Sequence, residues 1–183
     1  MSAVRADDYY PRYTYEDYCH WEDRWELIDG IAYAMSPAPM IRHQKITNKI
    51  GWQLGELLEV CGACQVLQPV DWKIKEDTVV QPDNLVICHE PTSEQYLTRA
   101  PEVIFEVLSP STARKDLGIK FDLYEQEGVA WYFIIDPDEE TAKVYRLHEG
   151  RYIKAGDFHD ETFAFTIKKC DGELTFDFGK IWS

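Results

Sequence analysis

The sequence is poor in positive charge and has no long apolar run. Its 183 residues carry 19 lysines and arginines against 33 aspartates and glutamates, a formal net charge of −14. That balance argues against a tight non-specific grip on nucleic acid, which draws on many Lys and Arg contacts to phosphate. Any binding to such a polyanion must be weak, metal-dependent and sensitive to salt. No stretch reaches the roughly 18 apolar residues of a membrane-spanning helix, and residues 1–8, MSAVRADD, hold no apolar secretion segment. A cytoplasmic protein without membrane contact is the expectation. Repeats, linkers and low-complexity segments are missing, as are the P-loop, the dinucleotide fingerprint and the G-x-S-x-G nucleophile elbow.

What is present suits a folded chain. Hydrophobic residues at 45% and aromatics at 14% exclude disorder, and the length suits one domain over residues 1–183. Five cysteines occur: Cys19, Cys61, Cys64, Cys88 and Cys170. An odd number in a chain read as intracellular points to reduced thiols. Cys61 and Cys64 form a C-x-x-C, yet no second such pair and no histidine pair completes a tetrahedral zinc shell. Ordinary thiols near a helix end are expected ahead of a redox pair or a zinc site.

Periodicity gives the elements. Thr14 and Asp17 resemble a capping box opening a short helix over 14–24. Residues 25–35 read as a hairpin turning at Asp29 and Gly30. Pro37 and Pro39 precede a long helix, roughly 40–60, with Ile46, Ile50, Leu54, Leu57 and Leu58 as its buried stripe and Gly62 closing it. Strands are expected over 66–75, 79–88 and 103–108; Pro82 marks an edge or irregularity in the second. A helix over 115–128 leads to Trp131–Asp136, a continuous apolar run expected as a central strand. Hairpins follow around Glu149–Gly150 and Asp171–Gly172. This order predicts a largely mixed α/β architecture, helices lying on the faces of a mixed sheet.

The chemistry concentrates between Gln81 and Tyr124. Glu106 interrupts an otherwise apolar strand, where an ionised carboxylate is costly unless it is paired or binds metal. Asp83 stands similarly before an apolar strand. Two carboxylates about 5 Å apart at an effective dielectric near 20 repel by about 3 kcal/mol, so bringing them together requires a cation or a shared proton. Leu108 stands where a D…E-x-K nuclease site would place its lysine, so a lysine, if one is required, must come from elsewhere. On a continuous helix Lys120 lies about 60° from Leu117, on the flank of a stripe formed by Leu117, Phe121 and Tyr124. It can bend back toward Glu106 or pair with Asp116 at the surface, whereas Lys115 should face solvent. Glu26 offers a third acidic ligand or a surface carboxylate. His43, with Gln44 beside it, either packs as a hydrogen-bonded core residue or contacts phosphate and orients water. The hydroxyls of Ser109, Ser111 and Thr112 suit a helix cap, or an anion site at the first-turn amides.

These segments (25–30, 35–44, 81–83, 106–112, 116–124 and 131–137) resemble the Uma-two family, described as restriction-endonuclease-like within the PD-(D/E)XK nuclease superfamily. The match covers roughly residues 14–155. The resemblance implies a restriction-endonuclease-like core and Mg²⁺- or Mn²⁺-dependent hydrolysis of phosphodiesters in nucleic acid, DNA first. It implies Asp83, Glu106 and Lys120 as catalytic residues, with Asp83, Glu106 and Glu26 holding metal. His43, Gln44, Ser109, Ser111 and Tyr124 are candidates for substrate contact. A homodimer suits such a fold, since cutting both strands benefits from two sites. The competing reading is a catalytically silent acidic module that meets a basic partner.

Overall fold

The computed structural model describes residues 11–35, 40–110 and 112–182; Pro37, Pro39 and Ser111 lie outside them. The first helix, α1 (Tyr15–Tyr18), opens on the expected capping box, Thr14 and Asp17 satisfying each other's amides. It stops after one turn rather than reaching residue 24. The chain turns instead so that Tyr18, Trp21 and Trp25 meet edge-on, centroids 5.5 and 5.6 Å apart. Strands β1 (Trp25–Ile28) and β2 (Ile31–Ala34) pair around Asp29 and Gly30, whose φ angles of 49° and 75° suit a primed hairpin turn. Helix α2 (Ile41–Leu58) buries Ile46, Ile50, Leu54 and Leu58.

The next 23 positions, 65–87, divide the chain between two sheets. Where the apolar pattern predicts two strands there are four: β3 (Gln65–Leu67), β4 (Asp71–Lys75), β5 (Thr78–Val80) and β6 (Asn84–Ile87). Both breaks fall at a Gln-Pro step, Pro69 and Pro82. A proline has no N–H for the ladder, so pairing ends there and the chain crosses from one sheet to the other. After β7 (Tyr96–Leu97) and β8 (Val103–Val107), helices α3 (Ala113–Asp116) and α4 (Ile119–Gln126) lead into β9 (Trp131–Asp136), β10 (Thr141–His148) and β11 (Arg151–Phe158). The tail adds β12 (Thr162–Phe165), β13 (Leu174–Asp177) and α5 (Gly179–Trp182).

A six-stranded sheet, β11-β10-β9-β8-β6-β3, forms the central layer. It is mixed: β8 and β9 are parallel, joined by the α3–α4 crossover, and the other neighbours are antiparallel. On one face Phe105, Val107, Phe133 and Ile135 pack against α2 and against Phe165, Phe176 and Phe178 of the tail. On the other, Leu85, Ile104, Tyr132 and Ile134 meet Leu123 and Tyr124 of α4. Ile28, Trp72 and Val80 of the second sheet, β2-β1-β5-β4-β7, complete that core. The expected α/β class and the central place of Trp131–Asp136 therefore hold. Among the described residues no helix is long and apolar enough to cross a membrane.

Two further expectations fail. The helix predicted over 115–128 breaks at Leu117–Gly118, Gly118 having φ −122° and ψ −98°. Glycine is a poor helix former, and the break resets the helical phase. The angular arithmetic from Leu117 to Lys120 therefore does not apply. Leu117 is exposed, while Asp116 is buried and Lys115 points inward. The cysteines also differ from expectation. Cys61 is disulfide-bonded to Cys170 and Cys64 to Cys88, leaving Cys19 as the free thiol. The partners of the C-x-x-C come from positions too remote in sequence for spacing to reveal.

Candidate active site

The two sheets and the α2 and α3–α4 ends enclose a cleft of about 290 Å³. Glu106 enters it from near the C-terminal end of β8. Strand alternation puts Glu106 on the same face as Ile104 and Leu108, opposite the aromatic core of Phe105. Asp83 follows Pro82 directly, outside the ladder of β6. Its Oδ2 accepts from the Val107 amide at 2.8 Å and meets His43 Nε2 at 3.1 Å. The backbone bond fixes Asp83 beside the strand that carries Glu106.

Lys120 is the hub. It is 2% exposed, and its ammonium contacts Glu106 Oε1, lies 3.0 Å from Glu26 Oε1 and 3.4 Å from Asp116 Oδ1. It therefore does not pair at the surface; the crossover carries it into the protein. Glu26, on β1 and fully buried, also accepts from the Gln81 amide at 2.9 Å and contacts the Lys115 ammonium through Oε2. Both Glu26 oxygens are thus engaged by protein donors. Tyr124, on α4, donates its hydroxyl to Glu106 Oε1 at 2.7 Å. The Asp116 carbonyl takes the Tyr132 hydroxyl at 3.0 Å.

Burial and charge pull these groups apart in acidity. Burial lifts Glu106 well above the usual carboxylate range; Lys120 opposes the shift, and Asp116, Asp83 and Glu26 add to it. Burial likewise raises Asp116 against the pull of Lys120. For Glu26, burial acts upward, but Lys120 and Lys115 prevail and hold it below the usual range. Burial disfavours the Lys120 ammonium, yet Glu106 and Glu26 keep it protonated far above the ordinary lysine range. His43 loses by burial and gains more from Asp83, so its pKa rises.

The site residues expected from the sequence part into two groups. Asp83, Glu106, Lys120, Glu26, His43 and Ser109 all line the cleft. Gln44 is exposed on α2 and does not line it. Tyr124 has no exposed surface, so it supports Glu106 and cannot touch a macromolecular substrate. Ser111 lies outside the described residues. Thr112 caps nothing with its side chain; its hydroxyl takes the Ser109 amide at 3.3 Å. Asp116, Lys115, Arg24 and Gln81 also line the cleft. Asp116 was visible in the sequence as the i−4 neighbour of Lys120, whereas Lys115 was hidden by the helix break.

The donor set suits a hard divalent cation. Among the described residues both bonds of Asp83 fall on Oδ2 and both of Glu106 on Oε1, so the other oxygen of each is open to a ligand. Among the described residues, buried His43 Nδ1 has no hydrogen-bond partner, and buried Asp116 Oδ1 has only its 3.4 Å ion pair with Lys120. Ionised, Asp83, Glu106, Asp116 and Glu26 outnumber the Arg24, Lys115 and Lys120 cations of the lining, so the cleft is left net negative. Oxygen ligands of this kind are those Mg²⁺ and Mn²⁺ take.

Comparisons with known proteins agree with this architecture. A family model described as "Putative restriction endonuclease" matches residues 13–164. An uncharacterized protein of Synechocystis sp. is 33% identical over 124 residues, an alignment spanning 63% of this chain and 63% of that protein. A crystal structure described as that of "a putative nuclease belonging to DUF820" from Anabaena variabilis superposes with a TM-score of 0.74. That superposition covers 92% of this chain and 97% of the other at 18% identity, which establishes the shared fold.

Proposed function

The chain belongs to the Uma2 family of restriction-endonuclease-like proteins, and from that premise we propose that it is a divalent-cation-dependent endonuclease. Its substrate is a phosphodiester of nucleic acid, DNA in the first place. The observation that carries this reading is the buried Lys120 ammonium held between Glu26, Glu106 and Asp116, with Asp83 anchored beside Glu106.

Asp83 and Glu106 would hold Mg²⁺ or Mn²⁺. When bound, such an ion supplies Lewis-acid neutralisation of phosphate charge and makes water acidic enough to attack at neutral pH. The other roles belong to the chain's own side chains. Lys120 is kept protonated by its carboxylates, so it stabilises charge that builds on the phosphoryl oxygens and does not act as the base. Glu26, whose oxygens are engaged by Lys115, Lys120 and the Gln81 amide, holds the two lysines in place. Tyr124 fixes the Glu106 rotamer through its 2.7 Å hydrogen bond. His43, bonded to Asp83, stands at the cleft wall where it can meet a phosphate oxygen or a water.

Nicking of supercoiled plasmid in Mn²⁺ or Mg²⁺ tests the reading. Wild type should convert the plasmid to the open circle. Glu106→Gln and Lys120→Met should lower the rate by about a hundred- to a thousandfold, the usual loss when one preorganised charge stabiliser is removed. Wild-type protein that leaves plasmid, single-stranded DNA and RNA intact with either ion would sink the proposal. The net charge of −14 would then favour a silent acidic module that binds a basic partner.

A further inference from the structure

The C-terminal segment is tied to the body of the protein at one sulphur-rich point. Cys61 and Cys64 occupy the turn after α2, where the Cys64 amide donates to the Cys61 carbonyl at 3.1 Å. Cys88 follows β6, and Cys170 sits in the turn between β12 and β13, its amide on the Ile167 carbonyl at 2.9 Å. The Sγ atoms of Cys61, Cys64 and Cys170 all lie within 4.8 Å of one another, Cys64 and Cys170 being 3.5 Å apart. Cys88 Sγ is bonded to that of Cys64. Cys61, Cys64 and Cys170 are therefore one cluster that links the two bridges, with Cys88 joined to its edge through Cys64. It is largely shielded from solvent: Cys61, Cys88 and Cys170 are 6, 2 and 8% exposed, and Cys64 is half-buried.

We propose that, with its two disulfides reduced, this cluster binds one Zn²⁺ through the thiolates of Cys61, Cys64, Cys88 and Cys170. A tetrahedral zinc ion holds thiolate sulphurs at about 2.3 Å, which sets them about 3.8 Å apart. Cys64 and Cys170 stand 3.5 Å apart and Cys61 lies within 4.8 Å of both, so these three close on an ion by side-chain adjustment, and Cys88 swings in once its bond to Cys64 is cut. The C-x-x-C turn supplies two ligands; the other two come from remote segments, as in closed structural zinc sites. The chemistry balances with a thiol as reductant. Each disulfide takes two electrons and two protons from two small thiols, which leave as their own disulfide. The four protein thiols then release four protons as Zn²⁺ binds, giving a tetrathiolate centre of charge −2. The Lys169 ammonium, which donates to the Cys88 carbonyl at 2.8 Å, lies next to that charge. The ion takes over the task of the disulfides, which is to pin the β12–β13 segment to α2 and β6 when the chain is reduced.

The test uses the full chain, reduced with a phosphine, freed of reductant without air and titrated with Co²⁺. The expected result is one Co²⁺ per chain with the visible absorption of tetrahedral cobalt thiolate, bleached by one equivalent of Zn²⁺. Cys19→Ser, outside the cluster, should leave the titration unchanged. Cys170→Ser should lose the one-to-one band, and Cys170→His should retain a blue-shifted one. Reduced protein that keeps its circular dichroism yet shows no cobalt–thiolate band overturns the proposal. Should reduction unfold the chain, refolding with one equivalent of Zn²⁺ supports it, and failure to refold or bind overturns it.

Discussion

Lys120 illustrates how a single residue can be both costly and necessary. A buried ammonium is tolerated only because Glu106, Glu26 and Asp116 surround it. Truncating it to Met leaves those carboxylates uncompensated, and Lys120→Met should lose about 3–5 kcal/mol of stability in urea unfolding at neutral pH. Glu106 gives a pH dependence of defined sign. Its pKa is raised in the folded state, so the folded protein binds that proton more tightly than the unfolded chain, whose glutamate titrates near 4.3. Stability from this group is complete below the unfolded value and is lost as pH rises through the folded one. Glu26 is depressed and acts oppositely, its contribution vanishing as pH falls through its folded value. Without divalent ions, the urea midpoint of the wild type should therefore fall on going from mildly acidic to neutral pH. Glu106→Gln should flatten that fall, and Mn²⁺ should raise the neutral-pH midpoint of the wild type more than that of the variant. A midpoint in the wild type that rises over the same interval would contradict the assignment.

Among the elements, α2 and the α3–α4 crossover matter most to the site. Helix α2 approaches β3 and β6 closely at Gly51, where an added Cβ would come within 2.3 Å of Gln68 Nε2 and 3.1 Å of Asn84 Nδ2. Gly51→Val should therefore destabilise by about 1–3 kcal/mol through overpacking, read from the same urea midpoint. Because α2 also carries His43 onto Asp83, that variant should disturb the cleft as well as the core. The crossover works through its interruption. The break at Gly118 lets Lys115, Asp116 and Lys120 all point into one cleft, which a continuous helix would prevent, since positions 115 and 120 are about 140° apart at 100° per residue. A Gly118→Ala change places a Cβ 3.0 Å from the Arg114 carbonyl and favours a continuous helix. It should impair plasmid nicking more than it alters the far-ultraviolet circular dichroism.

At the scale of the whole molecule, the excess of acid sets how a nucleic acid would be met. A chain of net charge −14 repels a polyanion at long range, and among the described residues only Arg24, Lys115 and Lys120 bring arginine or lysine cations to the lining of the cleft. Binding of labelled duplex DNA, followed by fluorescence anisotropy, should thus require a divalent ion and weaken as monovalent salt rises. Its salt slope should be shallow, because few phosphates are contacted by lysine or arginine. A steep slope without divalent ions would point to a basic surface outside the cleft.

Composition and pattern alone determined the mixed architecture, the Asp29–Gly30 hairpin, the stripe of α2 and the exceptional status of Asp83 and Glu106. Those features are written in local periodicity and in the cost of a carboxylate within an apolar strand, both of which are properties of neighbouring residues. Tertiary structure decided the rest. It divided two apparent strands between two sheets at Pro69 and Pro82, turned Lys115 inward, sealed Tyr124 behind Glu106 and joined Cys61 and Cys64 to Cys170 and Cys88. Each depends on contacts between segments far apart along the chain, and no local period or spacing encodes which distant partner a side chain will meet.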